Sequence, residues 1–129
     1  MEPIQLFDLA SRQAEWLSIR QEVVAGNIAN ANTPKFRAKD VTPFDSELQS
    51  LSMAMTQTHA GHMTANVIGG GKYEIEEANL NNEIGIQESG NTVAVADEVS
   101  KMGEIKRQHD LNTQLVRAFH NMMLTAVGK

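Results

Sequence analysis

Apolar residues recur at helical spacing near the two ends of the chain and only weakly between them. From Ile4 to about Ala31 they fall at Leu6, Leu9, Ala10, Trp16, Leu17, Val23, Val24 and Ile28. Leu9, Trp16 and Val23 form one column at seven-residue steps, and Ala10, Leu17 and Val24 form the next. Two adjacent columns make a stripe wider than the seam two helices share, so more than one neighbour is implied. Gln13 and Arg20 interrupt an adjoining column, which predicts partial exposure or a polar contact across a subunit boundary. Gly26 weakens the last turns by about 1 kcal/mol relative to Ala. Pro34 disfavours helical geometry at Thr33, so the first helix is expected over 4–32.

A second helix is predicted over 95–128, with Asp97 near its start as an acceptable cap. Its stripe reads Val95, Val99, Met102, Ile105, Leu115, Val116, Phe119, Met122, Met123 and Val127. His109 and Asn112 share that face, and polar groups in a seam fix register at a cost in stability. The connector, 33–94, carries weaker signals. Thr42, Pro43 and Asp45 form a helix start, followed by Leu48, Leu51 and Met55 on one face. Gly69 to Gly71 make a break, and Tyr73 and Ile75 with Ile84 and Ile86 alternate as in a small β-hairpin. Gly90 and Asn91 mark the turn into the last helix. The expected fold is all-α: an antiparallel coiled-coil hairpin of long N- and C-terminal helices, in a single domain over 1–129.

Composition sharpens this. Aromatic residues are only 5% of the chain, so bulky core filler is scarce. A lone two-helix hairpin is therefore marginal, and packing against copies or relatives supplies much of its order. The net charge of -5 argues against nucleic acid and anionic membrane surfaces as partners, because either needs a basic face. Lys35, Arg37 and Lys39 are the local exception and read as a solvated loop face. No cysteine is present, which removes disulfides and thiolate chemistry. The first residues lack the basic and apolar regions of a secretory signal, so export by another route is expected if the protein leaves the cytoplasm.

Candidate chemistry is sparse. His59 and His62 have a spacing that two imidazoles can use to share a metal, but Gly61 breaks the helix that would align them, and His109 and His120 are too far apart to complete a set. Glu74, Glu76 and Glu77 read as a solvated acidic face rather than an acid and base pair. The triple glycine lacks the Lys and Ser/Thr of a phosphate loop. Ser11 and Ser18 have no paired base. No catalytic, metal or cofactor site is expected. Asn27, Asn30 and Asn32 are the more informative polar group. Their amides can cap carbonyls at the helix end or bond to a neighbouring chain, and both readings stand.

The segment from Asn27 to Pro34, followed by Phe36, Arg37, Ala38, Lys39, Asp40, Pro43 and Phe44, resembles the N-terminal signature of the flagellar axial proteins. Rod and hook members of that family carry a helix ending in an Asn-rich stretch closed by Thr-Pro. The Thr58 to Met63 segment and Gly90 to Val93 are similar to the proximal-rod members, of which two sister proteins share the Asn-rich motif. The family commonly has Gly-Tyr where this chain has Lys35-Phe36, and an acidic residue where it has Ala94.

The resemblance implies a structural subunit of the rod in the bacterial flagellar basal body, assembling helically and transmitting torque. It implies export by the flagellar type III apparatus without a cleaved signal, into the periplasm-spanning rod. Partners would be other rod subunits and the adaptor at the membrane ring. Helix pairing and subunit packing would fall to Leu9, Trp16, Leu17, Val24, Ile28, Met102, Ile105, Val116, Phe119 and Met123. The motif residues are Asn27, Asn30, Asn32, Thr33 and Pro34. A small exported helical adaptor with one stoichiometric partner is the alternative.

Overall fold

The apolar columns of the two terminal segments form two long helices that face each other. The computed structural model describes residues 3–52, 73–78 and 87–128. Helix α1 runs Pro3–Ala29 and helix α3 runs Val95–Ala126, about 40 and 48 Å at 1.5 Å per residue. Between them lie strand β1 (Lys39–Val41), helix α2 (Phe44–Ser52) and strand β2 (Ile75–Glu77). The two helices are antiparallel: Phe7 stacks edge-on against Phe119 with ring centroids 5.8 Å apart, and Asn27 reaches Glu98 at the other end.

The core sits toward the connector end of this pair. Trp16, Leu17, Val24, Val41 and Ile105 are buried together, flanked by Ile19, Val23, Ile28, Phe44, Tyr73 and Met102. The Trp16 indole donates to the Thr42 carbonyl at 2.9 Å and its ring tilts against Phe44, so the β1–α2 junction is tied onto α1. Tyr73 donates through its hydroxyl to the Arg12 carbonyl and carries the β2 end of the connector back to α1. Trp16, Leu17, Val24 and Ile105 are thus buried; Leu9, Ile28, Met102, Val116, Phe119 and Met123 are half-buried. Val95, Val99, Leu115, Met122 and Val127 of the expected stripe are exposed, because α1 presents too narrow a face to cover them.

Several local expectations change. The helical ladder of α1 ends at Ala29 and the Asn-rich residues continue as turns, drawn out of the helix by the bonds described below. Helix α3 begins at Val95 with Ala94 as an uncapped N-cap, which places Asp97 in its first turn rather than at the cap. Helix α2 begins at Phe44; the Pro43 carbonyl accepts from Ser46 and Glu47, so Pro43 stands one position ahead of the helix. Ile75 does lie in a strand, and β2 pairs antiparallel with β1 in the register Lys39↔Glu77 and Val41↔Ile75. Ile84 and Ile86, with Met55, the triple glycine, His59 and His62, lie outside the described residues.

Lys35 holds φ at 60°, the left-handed region, and Gly90 beside it holds 78°. The turn after Thr-Pro keeps a glycine-like backbone although the residue is Lys, because the Lys35 N–H must reach the Ser89 carbonyl at 2.9 Å. Left-handed geometry costs a residue with a Cβ roughly 1 to 2 kcal/mol, part of which Gly returns through chain entropy. Replacing Lys35→Gly is therefore expected to raise stability by about 1 kcal/mol in urea denaturation. Leu17→Ala, at a fully buried site, is expected to lower it by about 2 to 5 kcal/mol in the same assay.

Candidate functional site

The polar residues at the end of α1 are an intramolecular junction. Asn27 is 1% exposed and its amide is fully used. Its Nδ2 donates to the Lys39 carbonyl at 2.7 Å and to Glu98 Oε2 at 3.0 Å, while its Oδ1 accepts from the Lys39 N–H at 3.0 Å. One side chain on α1 thereby bonds β1 as a strand backbone would and reaches α3 as well. Glu98, 2% exposed, also takes the Lys101 ammonium at 3.1 Å. Lys101 lies 3.5 Å from Asp40, which receives Arg20 through both carboxylate oxygens at 3.1 and 3.3 Å. The Arg20 guanidinium sits 5.3 Å from the centre of the Trp16 ring, so its flat face is used too. The contact expected of Arg20 across a subunit boundary is thus met inside the protomer.

The second half of the junction caps α1. Asn91, with no exposed surface, donates to the Asn30 carbonyl at 2.9 Å and the Thr33 carbonyl at 2.8 Å, and its Oδ1 accepts from the Val93 N–H. Helix C-termini leave carbonyls without partners; the Asn30 and Ala31 N–H groups meet those of the last turn, and Asn91, 61 positions from Asn30 in sequence, supplies donors to the turns just beyond it. Asn30 turns back to the Gly26 carbonyl at 2.8 Å and accepts from the Thr33 hydroxyl, so it caps locally. Asn32 and Pro34 are exposed. Farther along the helices, Asn112 donates to the Ala10 carbonyl at 2.9 Å, while His109 is half-buried on the flank. Among the described residues no buried side-chain nitrogen or oxygen lacks a partner.

Sequence reading found Asn27 and Asn30 but missed Asp40, Glu98, Lys101 and Asn91. A signal for Glu98 was present: it stands seven residues ahead of Ile105, so a carboxylate occupies the column that Ile105, Asn112 and Phe119 continue. Burial alone would raise the pKa of Asp40. The hydrogen bonds from Arg20 and the Val41 N–H, with the charges of Arg20 and Lys101, outweigh it and hold the carboxyl below its ordinary 3.8.

This arrangement fastens helices together, with its charged groups bonded to one another. Among the described residues no cluster of three His, Asp or Glu could hold a metal ion, and no helix is long and apolar enough to cross a membrane. A family model described as flagella basal body rod protein matches residues 15–37, the stretch that supplies Arg20, Asn27, Asn30 and the Lys35 turn. The flagellar basal body rod protein FlgB of Agrobacterium fabrum is 57% identical over 131 aligned positions, spanning 100% of this chain and 97% of that protein. The chain belongs to the FlgB family of flagellar basal body rod proteins. FlgB of Borrelia hermsii is 52% identical over 42 residues, 33% of this chain and 30% of that protein. The choice between the two sister rod proteins is decided by these relatives. The chain is a structural subunit of the flagellar rod.

The depressed pKa of Asp40 fixes a sign. A carboxylate held below its unfolded value contributes stability that is complete above about pH 3.8 and is lost as pH falls through its folded pKa. Asp40→Asn is expected to be less stable than the parent at pH 7 in urea melts. That difference should shrink steadily below pH 3.8, and a gap that stays constant down to pH 2 would remove Asp40 from the junction's electrostatics.

Proposed function

We propose that this subunit joins the rod by packing the exposed apolar flanks of α3 against the terminal helices of neighbouring rod subunits, in an open helical stack that carries torque. One observation carries the reading. Among the described residues eight large apolar side chains are exposed, and all but Ile75 lie on α3 or at its C-cap: Val95, Val99, Leu111, Leu115, Met122, Leu124 and Val127. Single exposed apolar residues are ordinary, but at 3.6 residues per turn Leu111, Leu115 and Met122 make a row on one flank of α3 and Val95, Val99, Leu124 and Val127 another, and such rows are what partners cover.

Leu115 and Met122 are spaced seven apart, as coiled-coil contacts are, and Leu111 borders them. Arg117 and His120 are the only ionisable side chains from 111 to 128, so nothing acidic opposes burial there. On the other flank, Ile28, Val99, Met102 and Ile105 line a groove of about 510 Å³ between α1 and α3, wide enough to take side chains from a crossing helix. Subunits that repeat such a heterologous contact without closing a ring build a filament. Leu9, Val116, Phe119 and Met123 are half-buried and serve both the protomer and the subunit boundary on this reading.

The whole chain acts as one rod-type unit in this scheme. Its surroundings would be the periplasm-spanning rod, reached through the flagellar type III apparatus without a cleaved signal. Its neighbours would be other rod subunits and the ring adaptor at the base. Lack of disulfides and a small core both suit passage of an extended chain through a narrow channel.

Leu17→Asp would unfold the protomer and say little about assembly, since Leu17 is fully buried. Leu115→Asp and Met122→Asp are the sharper pair, because each changes an exposed position and should leave stability within about 0.5 kcal/mol of the parent. Each is expected to be absent from purified basal bodies and to abolish swimming. Motile cells with complete rods carrying both substitutions would refute the interface.

A further inference from the structure

We infer that the buried polar residues of α3 are a register lock: they set which turn of α3 lies beside which turn of α1, a choice the apolar columns leave open. Heptad columns dictate the faces that meet, while successive heptads look alike. In α1, Leu9, Trp16 and Val23, then Ala10, Leu17 and Val24, offer apolar groups at every seven-residue step.

The facing column of α3 alternates instead. Glu98, Ile105, Asn112 and Phe119 run polar, apolar, polar, apolar, and the first three are all buried. Each polar member has an address on α1: Glu98 meets the Asn27 amide, and Asn112 meets the Ala10 carbonyl. A slip of one heptad moves α3 about 10 Å along α1. Both addresses are then lost together, leaving a buried carboxylate and a buried amide among apolar groups, which only the native register avoids. Lys101 reinforces the choice by linking Glu98 to Asp40, which Arg20 of α1 holds from the other side.

The lock reaches the docking surface. Leu111, Leu115 and Met122 lie on the same rigid helix as Glu98, so the register at Glu98 fixes how far this apolar row projects from the connector end. That consequence rests on the assembly reading above. The lock itself is a property of the isolated chain and is tested there.

The absence of native cysteine lets two be introduced as label sites. Ala25→Cys and Gln114→Cys are exposed positions offset by about 20 Å along the helices, so nitroxides on them report a slip as a second separation differing by about 5 to 10 Å. The labelled parent should give one separation by pulsed electron paramagnetic resonance. The combined Glu98→Met and Asn112→Leu variant, which makes the column uniformly apolar, should stay helical by circular dichroism and show the second separation. Should that variant lose its helical signal, Asn112→Leu alone takes its place and is expected to show the second separation at lower occupancy. Leu17→Ala, destabilised outside the lock, should keep the parent's single separation. A single unchanged separation in the folded lock variant, or a second one in Leu17→Ala or in the parent, overturns the inference. A chain that behaves as expected here yet incorporates Leu115→Asp into rods would retain the lock and lose the interface.

Discussion

The structure depends on one buried amide. Asn27 is the only described residue that bonds α1 to both β1 and α3, and every group on it that can make a hydrogen bond does so. Two long helices with few aromatic residues between them have a shallow energy well along their common axis, because sliding trades one apolar contact for another. A polar group sealed from water has no such freedom. It is satisfied in one place and costly elsewhere. The specificity of this hairpin therefore comes from Asn27, Glu98 and Asn112, while Leu17, Val24 and Ile105 supply its cohesion.

That division explains how so short a strand pair is held. Strand β1 pairs with β2 over three residues, which is too little to be stable alone. It is fixed from outside, by Asn27 on the Lys39 backbone, by Arg20 on Asp40 and by the Trp16 indole on Thr42. The chain entering α3 is held in the same manner through Asn91, which ties down the turns that follow α1. The end of α1 is thus secured by a residue far along the chain, while α3 starts without a side-chain cap. The stretch matched by the family model, residues 15–37, contains most of the α1 side of these contacts.

The long helices, their facing stripes and the break near Thr33-Pro34 were legible because they are expressed as period and as proline chemistry, both local in sequence. The motif's importance was legible too, through Asn27 and Asn30. Its role was open between capping and subunit contact because the partners are distant: Glu98 lies 71 residues from Asn27 and Asn91 lies 61 from Asn30. A Glu near a helix start reads as a dipole partner, and only its place seven residues ahead of Ile105 announces that it will be buried. The pairing of β2 with β1 was hidden for the same reason, since three-residue strands carry too little alternation to name their partner.

Burial is divided unevenly along the hairpin, and this connects fold to function. Toward the connector end the apolar columns are roofed by Val41, Phe44 and Tyr73, and the polar column is closed by the Arg20–Asp40–Lys101–Glu98 chain of charges. Among the described residues the roof stops near Arg12, where Tyr73 makes its last bond, and beyond it α3 carries Leu111, Leu115, Met122 and Leu124 exposed. With Asn112 as the exception, the register-setting groups stand at one end, and α3 from 111 to 128 is left without acidic charge. On our reading, the closed end gives each subunit a defined shape, and the open end is the part of that shape a neighbour completes.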